Sequence, residues 1–452
     1  MQWRRLRRSS LLIALLLVFA ACGGEASGGG ATGGAGVGGN AAGGAAGGDA
    51  SGRGGSGGGA GNGPGGAGAG GMAAGGAAAG GASGNGGGVG AGGMAAGGAA
   101  GSGAFGTAGI DGAAGSQPID GGGTIQSLPL STNDLVFDST RGVLYASMNP
   151  TGDAGNSVLT IDPASGTVTG ALPVGGLPTV LAISDDCSAL YVGISTPAAP
   201  PTATPQIDGA DSVRRIDLAS MTAGPPVSLG KNSSSELSAG QIAAVPGSST
   251  QYMVSLRQPG FIPDYAGLAL YDGNTMLAAL DSFYGSGDTI AFIDHSTLVG
   301  CSNDLSPSEL IRYSVTSAAI TPGTYVDGVI SGAARTRIAL GSGWIFASDG
   351  HALNAATLEP LGTYGDGLIA NYAAVAPVPD PDGANVWFLS QDATGMALLD
   401  FDRTTFQLRR TISLSYLPGD SDLSNASPLV RLSPTGFAFR TYEKLYLIEL
   451  PN

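Results

Sequence analysis

The stretch LAISDDCSALYVG, Leu181–Gly193, is followed after a Pro-rich insertion by SVRRIDLASMTAG, Ser212–Gly224. Its apolar runs are of strand length and alternate with polar clusters, Ser184-Asp185-Asp186 and Asp217 onward, that favour tight turns. It reads as three strands joined by two turns. The same unit recurs through residues 124–452. LVFDSTRGVLYAS, Leu135–Ser147, leads to SVLTID ending at Asp162, and IAAVPGSSTQYMVS to GLALYD ending at Asp272. IAFIDHSTLVGCS leads to ELIRYS at Ser314, IALGSGWIFAS to HALN at Asn354, VAPVPDPDGANVWFLS to ALLDFD at Asp402, and VRLSPTGFAFRT to KLYLIE at Glu449. No stretch carries a helical period. Seven copies of about 47 residues predict an all-β fold, a seven-bladed β-propeller. Six blades with one irregular insertion is the alternative. The last copy ends after its third strand, and a spare strand, TIQSLPL at Thr124–Leu130, precedes the first. The expectation is that this strand completes the last blade and removes its open edge.

LAISDDCSALYVG with SVRRIDLASMTAG, together with SVLTIDPASGTVTG, resembles the YVTN-type bacterial β-propeller repeat. More narrowly, residues 124–452 are similar to lipid-anchored or secreted bacterial propellers, many of them myxobacterial, with no assigned function. The resemblance implies a fold and an envelope or extracellular location. It carries no catalytic residues, because its motifs report the strand–turn–strand unit. Cys187 departs from it, standing where the repeat has Gly in the hairpin turn.

The N-terminal quarter has another composition. The chain has 452 residues, of which 81 are Gly, and residues 23–123 hold 49 of them. That tract has only two prolines, Pro64 and Pro118, and no three-residue period, which excludes collagen. With few charges and a single aromatic, Phe105, it cannot bury enough to offset the entropy of ordering, so a disordered Gly/Ala-rich tether is expected. Before it, Arg4, Arg5, Arg7 and Arg8 precede the apolar run Leu11 to Ala21, the pattern of a secretory signal peptide over residues 1–21. The run ends Val18-Phe19-Ala20-Ala21-Cys22 and resembles a bacterial lipobox, with Phe19 where Leu is usual. The resemblance implies lipidation of Cys22, and Gly23 after it implies sorting to the outer membrane. Cleavage after Ala20, giving a secreted protein, is the alternative.

The function classes are narrowed by charge. Of 19 Lys and Arg and 34 Asp and Glu, the leader and tract hold five and four, which leaves residues 124–452 strongly acidic. Nucleic acid and anionic lipid surfaces are therefore excluded as partners, membrane contact being through the lipid anchor only. The chain is expected to be a monomer. The two histidines, His295 and His351, stand in separate turns, and no Ser lies in a G-x-S-x-G context. Asp380-Pro-Asp382-Gly383 and Asp420-Ser-Asp422 lack the spacing of an EF-hand loop. No catalytic residue, metal or cofactor is assigned. Cys187 and Cys301 fall in non-adjacent repeats, too far apart for a mutual disulfide.

A binding role rests on the longer connections, which a propeller collects on one face. They carry Phe261, Tyr265, Tyr284, Tyr364, Tyr372 and Tyr416 among Asp residues, and suit an envelope protein or a polysaccharide. The plain alternative is that these rings cover blade edges. The competing class is a lactonase- or hydrolase-like propeller with a channel metal, which requires carboxylates and amides converging on the channel.

Overall fold

The computed structural model describes residues 116–119, 121–149, 155–195, 212–232, 235–261, 264–281, 287–302, 309–330, 336–365, 375–392, 395–414, 417 and 427–451. The leader, Cys22 and the Gly/Ala tract lie outside these residues. So do Tyr284, Tyr372 and Tyr416.

The described residues form seven antiparallel blades and no helix. Blade 1 runs outward through Thr132–Asp138, Val143–Met148, Ser157–Asp162 and Thr167–Pro173. Blade 2 follows with Leu177–Ile183, Ala189–Ser195 and Ser212–Asp217, its outer strand split into Thr222–Ala223 and Val227–Ser228. Blades 3, 4, 5 and 6 begin at Ser238–Ala244, Thr289–Asp294, Ile338–Gly341 and Val378–Pro379. Blade 7 contributes Leu429–Arg431, Gly436–Arg440 and Leu445–Glu449. Its fourth strand is Thr124–Leu128, in register Thr124 with Glu449 and Leu128 with Leu445, and the short strand Gln117–Pro118 pairs outside it.

Burial follows position in the blade. Ala189–Ser195, a second strand, is buried along its whole length, whereas the outer strand Thr167–Pro173 alternates between exposed and half-buried residues. A second strand is covered on both faces by neighbouring blades and so reads as a continuous apolar run. The buried apolar residues fall into seven clusters, each shared by two neighbouring blades. One of them joins Leu144 and Ile161 of blade 1 to Ala438 and Leu447 of blade 7. The ring is therefore closed by packing as well as by pairing.

The acidic residue that ends the third strand of most repeats has a local purpose. Asp402 Oδ1 accepts the backbone N–H groups of Thr404 and Thr405. Asp162 accepts from Ala164, Asp217 from Ser220, and Asn354 from Ala356 and Thr357. These are Asx turns, in which a short side chain satisfies the amides of a tight reversal. Hydrogen bonding from Thr405 and Thr404 pulls the Asp402 carboxyl down to about 2. In the hairpin between the first two strands of blade 2, Cys187 adopts φ +51°, the left-handed slot that the repeat otherwise gives to Gly. Cys301 is a free thiol, so the two cysteines are not joined to one another.

Candidate functional site: the loop end of the channel

In an antiparallel meander the connections alternate between two ends. At one end, where first strands finish, the reversals are short: 139–142, 163–166, 218–221, 273–274, 295–296, 342–343 and 403–407. At the other end lie the strand ends from which the chain passes from second to third strands and from blade to blade, across the longer intervals 196–211, 282–288, 302–308, 328–337, 364–377 and 414–428. We call these the turn end and the loop end. First strands begin at the loop end, so the residues around their starts line the channel mouth there.

Polar side chains at these starts link one blade to the next. Asp134 Oδ2 accepts the backbone N–H of Leu181 at 2.8 Å, while its Oδ1 accepts that of Leu135 at 2.9 Å. Asn133 Nδ2 donates to the carbonyl of Pro178, and Ser147 Oγ to that of Thr179. Gln241 repeats the device between blades 3 and 4, with Oε1 accepting from Ile290 N at 2.8 Å and Nε2 donating to Ile290 O at 3.1 Å. Thr289 Oγ1 and Cys301 Sγ both donate to the carbonyl of Thr336, between blades 4 and 5. Burial, chiefly, pushes the Cys301 thiol up to about 12, which leaves it unionised and unreactive.

Charge converges on the same rim. Arg257 ends the second strand of blade 3 and pairs with Asp264 at 3.2 Å, with Asp288 at 3.9 Å. In blade 5, His351 Nδ1 lies 3.0 Å from Asp349 Oδ2, and the backbone of Arg337 is held by Ser348 through Arg337 N to Oγ at 3.0 Å. Arg440 ends the second strand of blade 7. Asp134 acts on its guanidinium as an opposite charge and Arg337 as a like charge. Asp134 is partly reached by solvent, yet protein surrounds its carboxyl. That enclosure raises its pKa, against the opposing pull of the Leu181 N–H and Arg440. Burial lowers the Arg440 pKa, Asp134 raises it, and Arg337 lowers it again. The described residues of this end thus bear carboxylates, amides and guanidinium groups engaged in hydrogen bonds and ion pairs. Among the described residues no group of three or more His, Cys, Asp or Glu could hold a metal ion.

The loop aromatics divide. Phe261 is 43% exposed at the loop end of blade 3. Tyr265 does not lie in a connection: it opens the third strand of blade 3, paired with Arg257, and is 2% exposed between blades 3 and 4. Pairing continues that far because Gly267, at φ +126°, absorbs a bulge. Tyr364 is 1% exposed, packs on Phe388, Phe401 and Phe406, and donates its hydroxyl to the carbonyl of Arg403 at 2.8 Å. Both rings are blade-to-blade packing. Tyr442, which the sequence reading did not single out, is 41% exposed at the loop end of blade 7. Asp380 is not poised for calcium either: its Oδ1 takes Trp387 Nε1 at 3.0 Å and the guanidinium of Arg431. Asp382 caps Ala384.

Sequence reasoning missed the rim because its members are scattered. A signal was present, however. Asp134, Gln241, Thr289 and Arg337 each stand directly before the first apolar pair of a repeat. Aligning the copies on that pair brings them into one column.

No protein-family model matches the sequence, and no characterised relative matches it. Among solved structures, the chain is similar to the Kuenenia stuttgartiensis hydrazine synthase, at 12% identity and a TM-score of 0.49, over 71% of this chain and 95% of that one. It is also similar to a chain of the mitotic checkpoint complex, at 13% identity and a TM-score of 0.50, over 75% and 92%. At such identities the likeness concerns the fold alone.

Proposed function

We propose that this protein is a non-enzymatic, lipid-anchored protein of the cell envelope whose propeller offers its loop end to an envelope protein or polysaccharide. The observation that carries this reading is the asymmetry of the two ends. At the turn end, carboxylates such as Asp162, Asp217 and Asp402 are engaged by their own turns. The longest intervals between strands open from the loop end, where Phe261 and Tyr442 are exposed and Arg257 pairs with Asp264 and Asp288. Long connections on a rigid scaffold are where recognition resides in many folds. The leader, the lipobox-like Val18–Cys22 and the Gly/Ala tract support an anchor, an outer-membrane location and a tether.

Two experiments test the reading. Cross-linking in the native envelope, with residues 196–211 replaced by a two-residue turn, is expected to lose the adducts formed by the full chain. Unchanged adducts would place recognition elsewhere. Replacing Cys22 by Ala is expected to move the protein from the membrane to the soluble fraction. Continued membrane association would refute the anchor.

A further inference from the structure

The second strand of blade 3 runs into a turn that holds an aromatic ring out at the loop end. The turn is Gln258-Pro259-Gly260-Phe261, in which Phe261 N donates to the carbonyl of Gln258 at 3.4 Å and Gly260 takes φ +86°. Pro in the second place and a left-handed Gly in the third define a type II turn, which folds Phe261 back to within ~7 Å of Gln258. Below it, Gln258 N donates to the carbonyl of Asp264 at 2.6 Å. Gln258 is buried, and its Oε1 accepts from Asn232 Nδ2 at 3.3 Å, which ties the turn to the hairpin of Lys231–Asn232 with Ser235–Glu236. Phe261 is therefore an exposed ring on a braced turn. At the base of the turn, half-buried Arg257 and Asp264 are joined at 3.2 Å. Arg257 gives Asp264 an Nη1 donor, its Nη2 lies 3.9 Å from buried Asp288, and its Nε is enclosed. A guanidinium carries more N–H donors than these contacts use.

We propose that this corner of blade 3 binds a neutral saccharide, with the Phe261 ring against the C–H face of a sugar and Arg257 and Asp264 meeting its hydroxyl groups. A pyranose has an apolar C–H face and a rim of hydroxyls, each of them both donor and acceptor. The corner offers the counterpart: one flat apolar ring, a donor-rich guanidinium and a carboxylate. Charge favours a neutral ligand. Arg257 is already faced by Asp264 and Asp288, and the domain around them is acidic, so an anion meets no net positive field. A stable protein interface buries about 800 Å² per partner around an apolar centre. Among the described residues of this corner Phe261 is the one exposed large apolar side chain, and polar Asn232, Gln258, Arg257 and Asp264 surround it. One ring among hydrogen-bonding groups suits a small amphipathic ligand better than a protein core. This inference names the ligand chemistry of the proposed loop-end site and rests on that reading.

The test is calorimetric titration of the full chain with maltotriose, mannotriose and triacetylchitotriose, and with trigalacturonate as a charged counterpart. We expect saturable binding of at least one neutral trisaccharide, weaker binding of trigalacturonate, and a neutral-ligand affinity that added salt leaves unchanged. Phe261→Ala is expected to weaken binding about tenfold or more, and Phe261→Trp to keep it. An added Cβ at Gly260 meets no atom, so Gly260→Ala acts through the strained turn alone and is expected to lower affinity severalfold. The proposal is overturned if no neutral trisaccharide binds or if trigalacturonate binds more tightly than all of them. It is also overturned if a folded Phe261→Ala variant, checked by circular dichroism, keeps the wild-type affinity. Capture of an envelope protein by a photo-crosslinker at position 261, with no trisaccharide bound, would assign the corner to a protein and overturn it too. Saccharide binding without envelope adducts would leave this site standing and remove the envelope-partner reading. Adducts without saccharide binding would do the reverse.

Discussion

The backbone N–H of Leu181 donates to Asp134 Oδ2 across 2.8 Å, so a side chain of blade 1 supplies an acceptor to the inner strand of blade 2. The carboxyl is held in this position at an electrostatic cost, since enclosure raises its pKa from the ordinary 3.8. Its folded-state pKa is above the unfolded one, so its contribution to stability is greatest below pH 3.8 and is lost as pH rises through the raised value. Asp402 has the opposite sign, with a folded pKa near 2 and a contribution present above 3.8 and lost as pH falls toward 2. Urea unfolding across this pH range is expected to separate the two. The destabilisation caused by Asp402→Ala should vanish by about pH 2. Asp134→Asn should remove a slope of the other sign. A pH-independent effect of Asp402→Ala would contradict the turn-capping role.

Ring closure depends on a strand drawn from the far end of the domain. Ile125 faces Ile448 across that pairing and is 4% exposed. Ile125→Ala is expected to cost about 2–4 kcal/mol through the cavity it leaves. Ile125→Asp is expected to expel the strand and bare the edge of Leu445–Glu449, with self-association visible on size exclusion. A monomeric, fully stable Ile125→Asp protein would show that the closing strand is dispensable.

Asp380 ties blade 6 to blade 7 through Trp387 and Arg431, and the Arg431 guanidinium lies 5.4 Å over Phe437. Removing the carboxylate strands a largely buried guanidinium and an indole N–H. Asp380→Ala is therefore expected to cost about 3–5 kcal/mol. Red-shifted tryptophan emission should accompany the loss, since Trp387 is 1% exposed in the native protein. Adding Arg431→Met should recover part of the stability, because no charge is then left unpaired. A double variant less stable than Asp380→Ala would argue against this account.

Gly267 is the position least able to accept a side chain. It combines φ +126° with a site where an added Cβ would lie 2.1 Å from the carbonyl oxygen of Leu280. Gly267→Ala is expected to destabilise by about 2–4 kcal/mol, read from the denaturant midpoint, with the outer strand Thr275–Asp281 exchanging its amide hydrogens first. Unchanged exchange in that strand would show that the bulge tolerates a side chain.

Whatever depends on neighbours along the chain is legible in one dimension. Strand length, the polar reversals and the Asp that closes so many third strands are local matters, so the repeat and the all-β propeller could be read from LAISDDCSALYVG and its copies. Which side chains meet is a matter of folding. Tyr265 and Tyr364 look like loop aromatics in one dimension, yet strand pairing and blade packing draw both inside. Asp134 meets Leu181, and Gln241 meets Ile290, because neighbouring blades pack side by side. Turns record interactions over a few residues, whereas contacts between blades are created by packing and leave no contiguous pattern behind.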